Sequence, residues 1–491
     1  MGLISKVRDF FMNLFMSEAK EKFNVKVITS DKMEIAQLTW SNIIKELPPW
    51  LNPTDGVETI NFAKFLCQYT AKKTCLDLKV TVSGSDRADY INKCVSEMIK
   101  KSIRDKVEDA CGLGGIILKP NGTYNPKSAI DYILPGNFVV TDKNSNGDIL
   151  GAIFVDKLQK GDKFYTRLEY HHFENIPVAD EELGRVYTIE NRAYKSNAEE
   201  SLGTEVQLDT VEEWQGIQPI LSLSNVEKPL FAYLKMPYNN TIDYASPEGV
   251  AIFANCLKEL KDLDVAWSRK SGEVEDSKHM TFLSNAAIKG KRDKENPTGK
   301  PIELPRFVQG IDTGLDAENT IHEHVATMLT DQRIADINSV LSMISTKCGF
   351  SQGQFILDRK TGIVTATQIE SDDSETVETI TDIRNALKTA VKDLVYAIDK
   401  YCDIYFNMPS GYVDALDEKV SDENIFYFKD LLSTFEQDRT RAYQLMMQGL
   451  YSKKQYLMEY EGFDEKSALK MLSEAQEEKN ATQDSGLFGE E

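Results

Sequence analysis

The sequence offers few residues arranged for covalent chemistry. A phosphate-binding loop needs glycines leading into Gly-Lys-Ser/Thr at a helix start, where backbone N–H groups cradle the phosphates. The nearest fragment, Gly299-Lys300, follows Pro297 and is itself followed by Pro301. Gly112-Leu113-Gly114-Gly115 has the composition of a nucleotide-binding turn, but the apolar pattern puts a helix before it and a strand after it. A dinucleotide turn needs the reverse order, so these glycines read as a helix C-terminal stop. His322-Glu323-His324 places two imidazoles at i and i+2. On the helix expected to start there they diverge by about 200°, whereas a metal-binding helix needs i and i+4. His171-His172 falls in an expected strand, with side chains on opposite faces. Asp372, Asp373 and Glu375 could suggest a carboxylate metal site, but acidic residues in a first helical turn also complement the helix dipole, and that reading is preferred. No GxSxG occurs, and no cysteine has a compelling histidine partner nearby. The expectation is an architectural polypeptide that is not an enzyme and has no catalytic residues, cofactor or metal.

Bulk properties agree with a mechanical role. A chain of 491 residues exceeds one compact core and predicts two to four domains or sub-domains. Its 57 Lys and Arg against 78 Asp and Glu leave a net charge of −21. A protein that grips nucleic acid over a broad surface carries a basic field, so any DNA contact here must be local or non-adhesive. Seven cysteines, at 67, 75, 94, 111, 256, 348 and 402, include no CxxC pair and point to a reducing compartment. The amphipathic run from Gly2 to Met16 is interrupted by Lys6, Arg8 and Asp9. It is neither a signal peptide nor a membrane span, and Lys6 breaks the myristoylation pattern. A helix docked on its own fold or on a neighbour is expected, with no stable membrane association.

Periodicity then orders the elements. Residues 1 to about 110 are mainly helical, with apolar stripes at Trp40, Ile43, Ile44 and Leu47, at Phe62, Phe65, Leu66 and Tyr69, and at Tyr90, Cys94, Val95, Met98 and Ile99. Between 112 and 190, β-rich runs at 116–118, 138–140, 149–155 and 164–173 alternate with turn signals, predicting a small antiparallel sheet. Residues 192–225 predict loop plus one or two strands. Ser246-Pro247-Glu248 reads as a capped helix start for a helix of about 25 residues. Met280 to Leu283 reads as a strand, 289–300 as a basic, turn-rich tip, and helix returns from about Glu323 to Met343. A Gly-, Ser- and Gln-rich loop at 348–364 precedes a long helix from about Ser374 to Tyr401. A helical block from Asp430 to about Glu478 has joints at Gly449 and Gly462, and the tail from Glu477 is expected to fray.

From Tyr238 onward this order resembles the portal proteins of tailed bacteriophages, particularly the group infecting Gram-positive hosts. A loop with Tyr238 and Tyr244 leads through Ser246-Pro247-Glu248-Gly249 into a helix carrying Leu263-Asp264, Ser268 and Glu273, similar to the family's stem helix. The excursion at 276–318 resembles the clip, and the returning helix the second stem helix. Thr365-Ala366-Thr367-Gln368-Ile369 resembles the Thr-Ala-Thr-Glu-Val/Ile signature before the long wing helix, with Gln368 in place of the usual Glu. Ile425-Phe426-Tyr427-Phe428-Lys429-Asp430, then Gly449-Leu450-Tyr451-Ser452, are similar to the approach to the crown. The resemblance implies an α+β fold with long stem and wing helices, a small antiparallel β wing sub-domain, an α/β clip and a helical crown. The boundaries would be 1–245 wing, with a helical N-terminal part and its β part at about 112–225, 246–275 first stem helix, 276–318 clip, 319–346 second stem helix, 347–364 tunnel loop, 365–424 long wing helix and following segment, and 425–491 crown and acidic tail.

It also implies a homo-oligomeric ring, usually of twelve subunits, at a capsid vertex of the virion, assembled in the host cytoplasm. Double-stranded DNA would pass transiently; terminase large subunit, head–tail connector proteins and the major capsid or scaffolding protein would dock. Lys258, Lys261, Arg269 and Lys270 could line the stem, and Ser351, Gln352, Gln354, Arg359 and Lys360 the tunnel loop. Solvated or salt-bridged charges and an ordinary polar connection are the alternatives. Lys289, Lys291, Arg292, Lys294 and Lys300 at the basic tip are the candidates for docking the terminase or an adaptor, with an exposed turn that has no partner as the alternative. A connector without an axial DNA channel is the competing reading.

Overall fold

Polar side chains at helix starts set the N-terminal elements. The computed structural model describes residues 20–52, 54, 56–177, 183–199, 201–276, 280–284, 308–311, 321–324, 328–357, 374–431 and 435–485. Ser30 accepts a hydrogen bond from Met33 N and opens α1 (Asp31–Ile44); Asn61 accepts from Lys64 N and opens α2 (Phe62–Thr74). A short strand, β1 (Lys79–Val80), precedes α3 (Asp86–Lys101) and α4 (Ile103–Leu113). Met33, Trp40, Leu66, Ile91, Val95 and Val107 form their shared core. Leu47, expected on the α1 stripe, lies beyond the helix end and is exposed. Gly114 stops α4 in the left-handed region at φ +90, as the glycine run predicts.

The strands form two antiparallel sheets around this start. β2 (Gly115–Pro120) is buried throughout because it lies between β3 (Ile130–Ile133) and β10 (Ala232–Lys235). β4 (Phe138–Lys143), β5 (Ile149–Lys160), β6 (Lys163–Pro177), β7 (Leu183–Ser196) and β8 (Thr204–Val206) follow in sequence order, with β9 (Ile220–Leu223) also paired to β7. β5 and β6 outrun their apolar stretches. Their register continues through Gln159↔Phe164 to Lys160↔Lys163, next to the turn at Gly161. Val139, Ile153, Leu168 and Tyr194 fill one cluster with Phe23, Val25 and Val27; Phe138, Val140, Ala152 and Phe154 fill another with Ile117 and Phe231.

Ser246-Pro247-Glu248 does not start the next helix. Ser246 Oγ accepts from Glu248 N in a local turn, and the Glu248 carboxylate turns inward to accept from Gln37 Nε2 at 3.0 Å. The buried stretch 246–253 runs on to the 3₁₀ turn Ala254–Cys256, and α5 begins only at Leu257 and ends at Asp276. Tertiary contacts override the cap-and-proline signal here. Three strands follow. β11 (Met280–Ser284) is central, parallel to β12 (Val308–Ile311) and antiparallel to β13 (Ile321–His324). His322-Glu323-His324 therefore belongs to a strand, not to a helix start, and the helical-divergence argument does not apply to it. The returning helix, α6 (Thr330–Lys347), starts seven residues after Glu323.

The long α7 (Ser374–Tyr405) has 32 residues, or about 48 Å. Ile380, Leu387, Val391, Leu394 and Ile398 mark its buried seam at the expected spacing. The buried Arg87 guanidinium ties α3 to it through Asp399 (3.0 Å) and Asp403 (2.8 Å), and to the segment just after it through the Met408 carbonyl (2.6 Å). The hydrophobic run at 425–430 reduces to a two-residue strand, β14 (Phe426–Tyr427), after the short α8 (Asp422–Ile425); β14 pairs with β1.

The chain divides into two compact units, 1–428 and 429–491. In the second, α9 (Phe435–Met447), α10 (Lys453–Glu459) and α11 (Glu465–Ser485) are separated by Gly449 and Gly462, both at φ +76. The expected fraying from Glu477 is not found as far as Ser485. The N-terminal run 1–16, the basic tip with Lys289, Lys291, Arg292, Lys294 and Lys300, Thr365–Ile369 and Asp372-Asp373 lie outside the described residues.

Candidate functional site

α5 and α6 pack antiparallel, and side chains lock the pair at both ends. Near one end Lys347 Nζ meets Glu259 Oε1 at 2.6 Å; near the other Arg333 Nε meets Glu273 Oε2 at 3.0 Å, and Leu329 N donates to Glu273 Oε1 at 2.6 Å. Leu260, Leu263, Ile337, Leu341 and Ile344 are buried along these helices. Asp264 anchors α5 to the N-terminal region, accepting from Trp50 Nε1 at 2.9 Å and Ile60 N at 3.1 Å. Burial raises the Asp264 carboxyl above the usual carboxylate range, against the pull of those bonds. Ser268 Oγ accepts from Glu58 N at 2.9 Å and donates to Asp264 O.

Asp264→Ala strands two N–H groups, and a loss of about 1–3 kcal/mol is expected. Thermal unfolding measures it. An unchanged midpoint, with no new proteolytic sensitivity around 50–60, would contradict the assignment.

The outer side of α5 holds the sequence candidates. Lys258, Lys261 and Arg269 are exposed. Lys258 and Arg269 differ by about 20° around the axis and about 16 Å along it, with Lys261 about 60° away. Asp262 is exposed on the same side. Lys270 is turned aside, its Nζ 4.8 Å from the centroid of the Trp267 ring.

The loop after α6 is bound to its surroundings. Ser351 is 2% exposed. Its Oγ accepts from Thr376 N at 3.2 Å, and its N donates to Thr376 Oγ1 at 3.0 Å, in a reciprocal clasp on the first turn of α7. Ser351 is therefore withdrawn as a DNA-facing candidate: its hydroxyl caps a helix inside the protein. Gln354 donates through Nε2 to Tyr69 OH at 2.8 Å, and the Phe355 ring lies 5.2–5.8 Å from the rings of Phe62, Phe65, Tyr69 and Phe350. Gln352 is exposed; Arg359 and Lys360 lie outside the described residues. The candidate site thus comprises an exposed cationic edge on α5 and a loop after α6 that is pinned to α2 and α7.

A second polar cluster, which no sequence motif marks, joins β2 to β6 of the large sheet. Glu169 accepts from Lys119 Nζ at 2.8 and 2.9 Å and from His171 Nε2 at 2.7 Å, with Arg167 Nη2 at 3.3 Å. Burial alone would raise Glu169, but these cations and the histidine hold it well below the usual carboxylate range. Burial pushes His171 down, only partly offset by its bond to Glu169, so the ring is neutral. Tyr187 OH lies 2.8 Å from His171 Nδ1 and accepts from Leu230 N, which assigns the proton to His171 Nε2. A recess of about 310 Å³ is lined by Lys119, Tyr132, Asn137, Asp156, Arg167 and Glu169. Both of its cations are already paired with Glu169, so little positive field remains for an anionic ligand. The sequence signal for this cluster is Lys119 at the end of the apolar run Ile116-Ile117-Leu118.

These features define an α+β protein in which an antiparallel helix pair brackets a three-stranded sheet. No protein-family model and no curated protein matches the chain. Among solved structures, a chain of the "Virion of native gene transfer agent (GTA) particle" is similar to it at 9% identity and a TM-score of 0.33, over 88% of this chain and 98% of that one. A likeness at that level does not define a shared fold. Among the described residues, no helix is long and apolar enough to cross a membrane.

Proposed function

We propose that the protein is a virion structural component, and specifically a portal protein: one subunit of a homo-oligomeric ring at a capsid vertex. The observation that carries this reading is the order α5, strand excursion, α6, pinned loop, α7. It matches the order of stem, clip, second stem, tunnel loop and long wing helix that the sequence resemblance implies. The role is architectural, with packaging energy supplied by a separate ATPase of the terminase. The basic tip at 289–300 docks that motor or a head–tail connector, and the major capsid or scaffolding protein is a further partner.

Electrostatics suits such a channel. Every phosphate neutralised releases counterions and adds affinity, which opposes sliding. An acidic subunit that offers a few exposed cations, Lys258, Lys261 and Arg269, beside Asp262 guides DNA without gripping it. Exposed Tyr443, Met447, Leu450, Met458 and Phe463 in the second unit suit burial against a neighbouring copy.

Sedimentation velocity on the full chain tests the assembly. The expected result is a discrete closed oligomer of the 55.5 kDa chain. A protein that stays monomeric across salt and concentration would contradict it.

A further inference from the structure

The adjacent histidines of β6 serve two different faces. His171 has both ring nitrogens engaged by Glu169 and Tyr187. His172 faces the other way. Its ring stacks on Tyr170 with centroids 4.0 Å apart and planes 11° apart, which holds the imidazole in place. Two carboxylates converge on it. Glu174, two residues along the same strand, lies 2.5 Å from His172 Nε2. Glu190 comes from β7, where it pairs with Tyr170 and so sits diagonally from His172. One ligand-type atom from each of the three lies within 4.8 Å of the others, and no other trio of His, Cys, Asp or Glu converges so closely among the described residues.

We propose that His172, Glu174 and Glu190 form a binding site for a divalent transition ion of the zinc class. The ion would take one imidazole nitrogen and two carboxylate oxygens, with water completing its coordination. Ligand bonds of about 2.1 Å put tetrahedral ligands about 3.4 Å apart. Reaching that spacing requires rotation of the glutamate side chains but no change in the strand register. The side chains are accessible to an incoming ion, with Glu174 42% and Glu190 22% exposed.

The surroundings set the selectivity. Arg192 Nη2 lies 3.3 Å from Glu190, and Arg192 Nη1 is held by the Lys22 carbonyl at 2.7 Å. That guanidinium competes for Glu190, so an ion attracted by carboxylates alone gains little. Magnesium and calcium prefer oxygen ligands and are disfavoured; zinc, which bonds imidazole strongly, is favoured. His172 Nδ1 is buried without a hydrogen-bond partner. No acceptor holds the Nδ1 proton to raise the basicity of the ligating nitrogen, so binding is weaker than in a site that has one.

Calorimetric titration of the chelator-stripped full chain with zinc chloride, and separately with magnesium chloride, tests this. One zinc ion per chain is expected to bind saturably, and magnesium not at all. His172→Ala, Glu174→Gln and Glu190→Gln should each weaken zinc binding roughly tenfold or more, whereas His322→Ala should leave it unchanged. Circular dichroism checks that each variant is folded; if His172→Ala is not, the two isosteric glutamine variants decide the matter. No saturable zinc uptake by the wild type, or uptake that the folded variants retain in full, would overturn the site. This result is independent of whether the chain forms a ring.

Discussion

Lys119→Met is expected to destabilise the first unit by about 3–5 kcal/mol, the cost of leaving a buried carboxylate without its main cation. Lys119 and Glu169 are 4% and 7% exposed, and both carboxylate oxygens receive the ammonium. Methionine fills similar volume, so the loss is electrostatic rather than a cavity. Arg167, which also bonds Asn191, and the neutral His171 remain but do not replace it. Adding Glu169→Gln should recover part of the loss, because the orphaned charge goes with it.

The pH dependence separates this account from simple misfolding. Glu169 is held below its ordinary value of 4.5, so its contribution is present above that pH and lost as the pH falls below it. His171 is pushed below 6.5, so it too favours folding above that pH and opposes it increasingly below. In Lys119→Met the unpaired carboxylate protonates more readily. The gap between variant and wild type in chemical denaturation should therefore narrow as the pH drops below about 4.5. A gap of constant size, or one below about 1 kcal/mol at neutral pH, would contradict the pairing.

Gly114→Ala should cost about 2–5 kcal/mol, from left-handed backbone strain and forced repacking together. At φ +90, a Cβ on Gly114 would stand 2.3 Å from Gly249 O and 2.7 Å from Val250 N. These are backbone atoms and cannot rotate aside. The contact joins the end of α4 to the stretch leading into α5, where Ile252 N donates to Cys111 O and Met236 N to Gly114 O, both at 3.0 Å. Gly147→Ala is the control. It has φ +87 with nothing within 4 Å of its Cβ, so only the backbone strain of about 1–2 kcal/mol applies. Equal thermal shifts in the two variants would remove the close approach as the cause.

Elements were legible in the sequence where one periodic face meets one core. α7 shows its seam at three- and four-residue steps, and Gly114 announces its own left-handed stop. Legibility failed where distant residues decide. Ser246-Pro247 carries a strong local helix signal, yet Gln37 and Gly114, more than 100 residues away, hold the stretch that follows as buried irregular chain. Ser351 is polar in a polar loop, and nothing local shows that Thr376 draws it inside. Lys119 and Glu169 look like surface charges until strand pairing brings them together. On α5, Lys258, Lys261 and Arg269 are exposed, whereas Lys270 is half-buried with its ammonium over the Trp267 ring, a contact that helical spacing alone does not reveal.

Class-averaged end views of the purified full chain by negative-stain electron microscopy test the portal reading most directly. The account predicts closed rings of identical subunits around an open central channel wide enough for duplex DNA. Rings or clusters without a channel, or single particles at every salt and protein concentration, would contradict it.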